Sequence, residues 1–280
     1  MTRQQPKPGK VITRREALAR LGTASLLALG LGPGCHSARR GAGLRPFQFV
    51  VVNDLHHAGR ECEPFFAALI SQMRTHPDLE FVLLLGDLAD TGKAVDLAAI
   101  RHHFQELGVP LYPVIGNHDY ATKTDRPAYE EVFPGRINYR FRRRGWQFVG
   151  LDTTQGTDYQ NTRIQAATLA WLDATLPQVD HDTPTVIFTH FPLGEGVSMR
   201  PLNAGEVLQR FAGFNLKGVF GGHYHAFTAR RFEDAEVVTN RCCSRLRDNH
   251  DGTKPEGYWL VTAADGRLAR EFIEFPPPEA

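Results

Sequence analysis

The chain has 280 residues, with 32 Lys and Arg against 31 Asp and Glu, a formal net charge of +1, 42% hydrophobic residues and 22% charged ones. That balance excludes a disordered or fibrous chain and gives no overall attraction to nucleic acid or an anionic membrane, so an anionic substrate must be drawn in locally. Its four cysteines, Cys35, Cys62, Cys242 and Cys243, form no CxxC pair, which argues against a zinc ribbon or a thioredoxin-like redox site.

Residues 1–43 read as an export segment and short linker. Thr13, Arg14 and Arg15 precede an apolar stretch, Leu21 to Leu31, that meets Gly32, Pro33, Gly34 and Cys35. The stretch is too short for a membrane span, which needs about 20 residues, and suits the apolar region of a signal peptide, typically ~7 to 15 residues. The paired arginines resemble a Tat signal, although Ala17 stands where that signal usually has Phe. The expectation is an exported protein, periplasmic or anchored to the outer side of the inner membrane by a lipid on Cys35. The alternative is an amphipathic helix at the start of a cytoplasmic protein.

From residue 44 to residue 280 the pattern is that of one layered α/β domain. Phe47–Val52, Phe81–Leu85, Leu111–Ile115, Gln147–Leu151 and Thr185–Thr189 are short apolar, β-branched runs that predict buried strands. Between them, Pro64–Thr75, Val95–Leu107 and Ala166–Leu176 carry apolar residues at helical spacing, with Trp171 expected to anchor the third helix to a sheet. From Phe227 to Phe275 the segments are strand-like and include GYWLVTA and LAREFIEF, joined by the turn ADGR.

A polar cluster follows each predicted strand end. Asp54 and His56 follow the first strand, Asp87 and Asp90 the second, and Gly116-Asn117-His118-Asp119 the third; His190 follows TVIFT, and His223 and His225 follow KGVFG. In layered α/β sheets the carboxyl ends of strands are where loops converge on a ligand. Asp54 and His56 are two apart, as are His223 and His225, so in extended backbone each pair projects to one side and can chelate an ion. Alone, each cluster is more simply a turn, a cap or a solvated loop. Pooled in fixed order they offer two Asp, one Asn and four His, an oxygen and nitrogen set suited to manganese, iron or zinc. Seven donors exceed what one tetrahedral zinc uses, whereas two ions sharing a bridging carboxylate would use them all.

The series D-x-H, GD-x-x-D, GNHD, H and GH-x-H, running here from Asp54 to His225, resembles the signature of the calcineurin-like metallophosphoesterase superfamily. YRFRRRGWQFVGLD and GYWLVTAADGRL resemble its mid-domain strand pair and closing hairpin; LAWLDATL resembles one of its helices, with Thr168 where Gln is usual. The fold implied is a four-layer αββα sandwich, two mixed β-sheets flanked by helices. Carried over by position, the resemblance implies one metal ion held by Asp54, His56 and His225, a second by Asn117, His190 and His223, and Asp87 bridging them. THFPLGEG and the GNHD form are most similar to the cyclic-nucleotide phosphodiesterase branch. The purple acid phosphatase branch has Tyr three residues after the bridging Asp, and here that position is Asp90.

What this implies is a phosphoesterase that attacks a phosphodiester or phosphomonoester with a hydroxide shared by two metal ions. His118, beside Asn117 but outside the donor series, is free to protonate the leaving oxygen, and by resemblance the Asp90 carboxylate holds its second ring nitrogen. The substrate is expected to be a nucleotide or glycerophosphodiester, and Tyr120, Phe191 and Tyr224 are placed to line its pocket. The alternative is a metal-binding scaffold of the same fold without turnover. Four features are expected to take no part. His57 points away from His56 and reads as a solvated loop residue, His102 and His103 as surface or packing residues in a helix, Arg142–Arg144 as a solvated hairpin, and Cys242 and Cys243 as small buried thiols. A bridge from either thiol to Cys62 stays open.

Overall fold

A computed structural model of the chain describes residues 45–276. The export segment and Cys35 lie outside the described residues. In chain order the elements are β1 (Phe47–Val52), α1 (Glu63–Met73), β2 (Leu79–Leu84), α2 (Ala94–Gln105), β3 (Leu111–Pro113), α3 (Pro127–Val132), β4 (Tyr139–Arg143) and β5 (Trp146–Leu151). They continue with α4 (Ala166–Thr175), β6 (Thr185–Thr189), α5 (Ala204–Arg210), β7 (Leu216–Gly221), β8 (Thr228–Phe232), β9 (Ala235–Thr239), β10 (Gly257–Ala264) and β11 (Arg267–Glu274).

Two mixed sheets result, of order β11-β10-β1-β2-β3 and β4-β5-β6-β7-β9-β8. Strands β1, β2 and β3 run parallel in the first, as do β5, β6 and β7 in the second. Helical crossovers make this possible, since parallel neighbours cannot be joined by tight turns. Of the outer strands, β4, β8 and β11 pair in hairpins, whereas β3 arrives by a helical crossover. The hairpins of β4–β5 and β10–β11 turn on Arg144-Gly145 and Asp265-Gly266, all four residues with positive φ, the geometry that matches the twist of antiparallel strands.

The period of two along each strand builds three apolar layers. In β1, Val50 and Val52 pack under α1 and α2 with Phe66, Leu69, Ile100 and Phe104, while Phe47, Phe49 and Val51 face the other sheet. In β2, Val82 and Leu84 join the first group, and Phe81, Leu83 and Leu85 the second. From the opposite sheet, Phe148, Phe188 and Phe220 fill the space between sheets, whereas Val149, Ile187 and Val219 turn outward under α4 and α5. These are the four layers, helix, sheet, sheet and helix, and Trp171 packs in the outer one as expected.

Details differ from the pattern reading. Strand β2 begins earlier, at Leu79, and β3 closes at Pro113, with Val114 N still donating to Leu84 O at 2.8 Å. Arg143 and Arg144 are not merely solvated, because both grip the Glu80 carboxylate. They sit before the amino end of β5, away from the carboxyl ends that carry the polar clusters. Cys62, Cys242 and Cys243 are buried and unbridged. No helix among the described residues is long and apolar enough to cross a membrane.

Phe49 stacks on Phe81 at 4.8 Å and meets Phe148 edge-on at 5.6 Å. Phe49→Ala is therefore expected to lower unfolding free energy by about 3–5 kcal/mol. Urea unfolding with an unchanged m-value measures it, and a loss below ~1 kcal/mol would mean that the layer between sheets collapses around the gap.

Candidate metal centre

The loops that follow parallel strands are tied to one another before any side chain is considered. Asp54 N donates to Gly86 O at 3.2 Å, Leu55 N and His56 N both donate to Asp87 O at 2.9 Å, and Gly222 N donates to His190 O at 2.8 Å. Contact is close enough to exclude larger residues: a Cβ on Gly116 would lie 2.2 Å from Asp87 N. Asp54, His56, Asp87, His223 and His225 all have φ between 46° and 65°. The two Asp-x-His and His-x-His pairs are thus not extended, as their spacing suggests, but curled through left-handed backbone that brings their side chains inward. Such backbone is unfavourable for non-glycine residues and persists where surroundings over-determine it.

Two groups of donors form. Asp54, His56 and His225 make one, with His225 Nε2 3.3 Å from Asp54 Oδ1 and 3.4 Å from His56 Nε2. Asp87, His190 and His223 make the other, with His190 Nε2 3.3 Å from Asp87 Oδ1 and 3.1 Å from the side-chain oxygen of Asn117. Asp87 stands between them, its Oδ2 3.7 Å from His56 Nε2. All seven residues read from the sequence are brought together.

The remaining ring nitrogens are held from behind. His190 Nδ1 donates to Leu85 O at 2.7 Å, His223 Nε2 to Tyr159 O at 2.9 Å and His225 Nδ1 to Asp248 O at 3.2 Å. A carbonyl oxygen only accepts, so each of these nitrogens carries hydrogen and the other one of the ring faces inward. His56 Nδ1 lies 3.2 Å from Asp90 Oδ1. Imidazoles fixed this way, converging with carboxylates, are the arrangement that holds a first-row divalent ion, and the donor chemistry of the site fits two.

Electrostatics follow from burial. Burial disfavours charge on Asp54, but the imidazoles of His225 and His190 outweigh it and hold the carboxyl well below its usual range. Asp87 is likewise held low, by His190 and His56 against its burial. His190 is itself buried, yet Asp87 and Asp54 push it up to about 9. His223, buried beside His190, is pushed down to about 4.

His118 and Asp90 are adjacent, but not as the resemblance implies. His118 Nδ1 donates to the backbone oxygen of Asp90 at 2.8 Å, while the nearest carboxylate oxygen is 4.0 Å away. That carboxylate is taken by His56 and by the guanidinium of Arg247, which together hold it well below the usual range. His118 Nε2 makes no hydrogen bond with a described residue, and the ring lines a cleft of about 300 Å³ with Asp90, Thr91, Asn117, Thr157 and Tyr159. Tyr120 also borders this cleft, whereas Phe191 is buried and packs on His223 at 4.0 Å.

Three contributors carry no sequence signal of their own. Asp119 accepts from Leu88 N, Ala89 N and Gly116 N at 2.7, 2.9 and 2.8 Å, closing the turn and clamping the β2 loop to the β3 loop. Only its place in GNHD marks it. Arg247 lies 157 positions from Asp90. Asn249 organises the loop that brings Arg247 and Asp248 to the site, accepting from Cys242 N and donating to Thr253 O and Pro255 O, each at 3.0 Å.

Removing the Asp119 carboxylate leaves three buried N–H groups unpaired, at roughly 1–3 kcal/mol each. Asp119→Ala is expected to destabilise the chain by at least about 3 kcal/mol on that scale. Chemical denaturation checks this, and near-wild-type stability would show that water replaces the clamp.

The family model for calcineurin-like phosphoesterase matches residues 47–227. A 3',5'-cyclic-nucleotide phosphodiesterase of a Nostoc species is 28% identical over 156 residues, which is 52% of this chain and 57% of that protein. A probable cyclic nucleotide phosphodiesterase of a Synechococcus species is 30% identical over 150 residues, 50% of this chain and 56% of that protein. The chain thus spans little more than half the length of these relatives. Among solved structures, a purple acid phosphatase of yellow lupin (Lupinus luteus) seeds shares the fold, with a TM-score of 0.60 at 14% identity, over 81% of this chain and 52% of that one.

Proposed function

The chain belongs to the calcineurin-like phosphoesterase family, and we propose that it hydrolyses phosphodiesters at a centre of two divalent metal ions. The observation that carries this reading is Asp87, whose two carboxylate oxygens face the two donor groups separately. In the proposal Asp54, His56 and His225 hold one ion, Asn117, His190 and His223 the other, and Asp87 serves both. Two ions so held would supply Lewis acidity to the phosphoryl oxygens and a nucleophilic water near neutral pH.

The chain's own groups do the rest. Leu85, Tyr159 and Asp248 carbonyls fix the inward nitrogens of three histidines. With Nδ1–H committed to Asp90 O, His118 in its protonated form has Nε2–H as the remaining donor, aimed into the cleft where a leaving oxygen would depart. Arg247, exposed at the rim and paired with Asp90, adds positive charge where an anionic ester approaches. The small cleft suits a phosphoryl group with its ester substituents projecting outward. Relatives named for cyclic nucleotide phosphodiesterase activity favour a diester, and a cyclic nucleotide or glycerophosphodiester is the class we infer. Export of the chain, read from the paired arginines, belongs to the same proposal, and fractionation of cells expressing the full chain tests it.

After chelation and reloading with Mn²⁺, the full chain is expected to cleave bis(p-nitrophenyl) phosphate faster than p-nitrophenyl phosphate. His118→Ala is expected to lower diester kcat by about 10²- to 10⁴-fold, the usual contribution of a positioned acid. Preference for the monoester would move the substrate class to phosphatase. Absence of turnover by a metal-loaded chain would favour the scaffold reading.

Metal uptake must displace the proton that Asp87 and Asp54 stabilise on His190, whose pKa is raised to about 9. Apparent affinity for Mn²⁺ is therefore expected to strengthen as pH rises toward about 9, with proton release in weakly buffered titrations. Affinity independent of pH from 6 to 9 would remove His190 from the ligand set.

A further inference from the structure

His57 turns away from the centre as its spacing implies, but it is not solvated. Its side chain is buried between α1 and α2, at 2% exposure, with His103 of α2 beside it at 5%. Phe66 packs against both rings, at 5.5 and 5.7 Å, and accounts for the burial. What packing does not account for is the polar chemistry. The Nε2 atoms of both histidines are buried and make no hydrogen bond, where buried polar atoms are nearly always satisfied.

The tautomer of His57 is fixed from the other side. Asp96, also buried, accepts with one oxygen from His57 Nδ1 and from Gly59 N, both at 2.8 Å. On its other side His57 Nε2 faces Glu63 Oε1 at 3.5 Å. Glu63 Oε2 lies 2.8 Å from His103 Nε2. Neither contact satisfies its nitrogen with hydrogen-bond geometry. A cation between them satisfies both. The three donor atoms lie within 4.8 Å of one another, and two ligands at ~2.0–2.1 Å from a tetrahedral zinc stand about 3.4 Å apart.

We propose that His57 Nε2, His103 Nε2 and the Glu63 carboxylate bind one divalent ion of the zinc class, at a site separate from the phosphoesterase centre. Two nitrogen donors select against calcium and magnesium. The Asp96–His57 pair is the carboxylate–histidine arrangement that orients a zinc ligand. Glu63, with its side chain 46% exposed, gives the ion a path from solvent. The site joins three elements, since Glu63 opens α1, His103 is near the end of α2, and His57 sits in the loop after β1. Its effect reaches the centre through the backbone, because His57 N donates to Leu88 O and His57 O accepts from Asp90 N, both at 3.0 Å. An ion here stiffens the loop that presents His56.

The test is ion content. The full chain, its His103→Ala variant and its Glu63→Ala variant are equilibrated with Zn²⁺, desalted and measured by plasma mass spectrometry, with circular dichroism confirming that each is folded. Each variant is expected to hold one zinc fewer per chain than wild type, and zinc is expected to raise the melting temperature of wild type more than that of either variant. The comparison is a difference, so it does not depend on how many ions the other centre holds. Equal zinc in wild type and folded Glu63→Ala, a change at a half-exposed position, overturns the proposal.

Discussion

Asp54 and Asp87 are both buried, and no Arg or Lys among the described residues pairs with either. Taking an ionised carboxylate out of water costs several kcal/mol, and a second one nearby adds repulsion. What opposes that cost here is a ring of imidazoles, with backbone N–H groups of His118 and His223 donating to Asp87 and Asp54. Imidazole is a weak counter-charge at neutral pH, because it is a cation only when protonated. A divalent ion is a stronger one that does not titrate. The depressed carboxyl groups and the raised His190 express one requirement, positive charge at the point where five loops meet.

That requirement explains why the loops are built as they are. Five donors in left-handed backbone are an improbable set for residues with a Cβ, and each stores an unfavourable conformation. They are held because a strand below fixes the start of every loop, and because Asp119 and the glycine at 116 lock the β2 and β3 loops against each other. Stability invested in the aromatic layer between the sheets is thus what maintains strain at the edge.

Much of this is legible in the chain. Alternation in FQFVVV and FVLLL places successive residues in different apolar layers, and the order of polar clusters after strand ends marks the seven residues that the fold brings together, since each sits at the same structural position. The spacing argument behind two pairs is another matter. Asp54 and His56 share a side through positive φ and not through extension, which no sequence period expresses. The Asp90 carboxylate was legible as a neighbour of His118 but not as a partner of Arg247, because that partner arrives on a loop ordered by Asn249. Pairings across such distances depend on the finished fold.

His56 and His57 show how fully site and scaffold share residues. Adjacent side chains on one loop enter different layers: His56 meets the carboxylates, and His57 meets Asp96 and Phe66 under the helices. The burial of His57 is not legible in the sequence, because it depends on α1 and α2 closing over the outer side. The consequence is that the helical layer does more than cover the sheet. Asp96, at the first turn of α2, holds both Gly59 and His57, so the conformation of the loop that presents His56 is set from the outer layer as well as from β1. Metal-facing geometry and core packing are therefore coupled through one peptide unit, and a change on α2 acts on the centre without touching any of its donors.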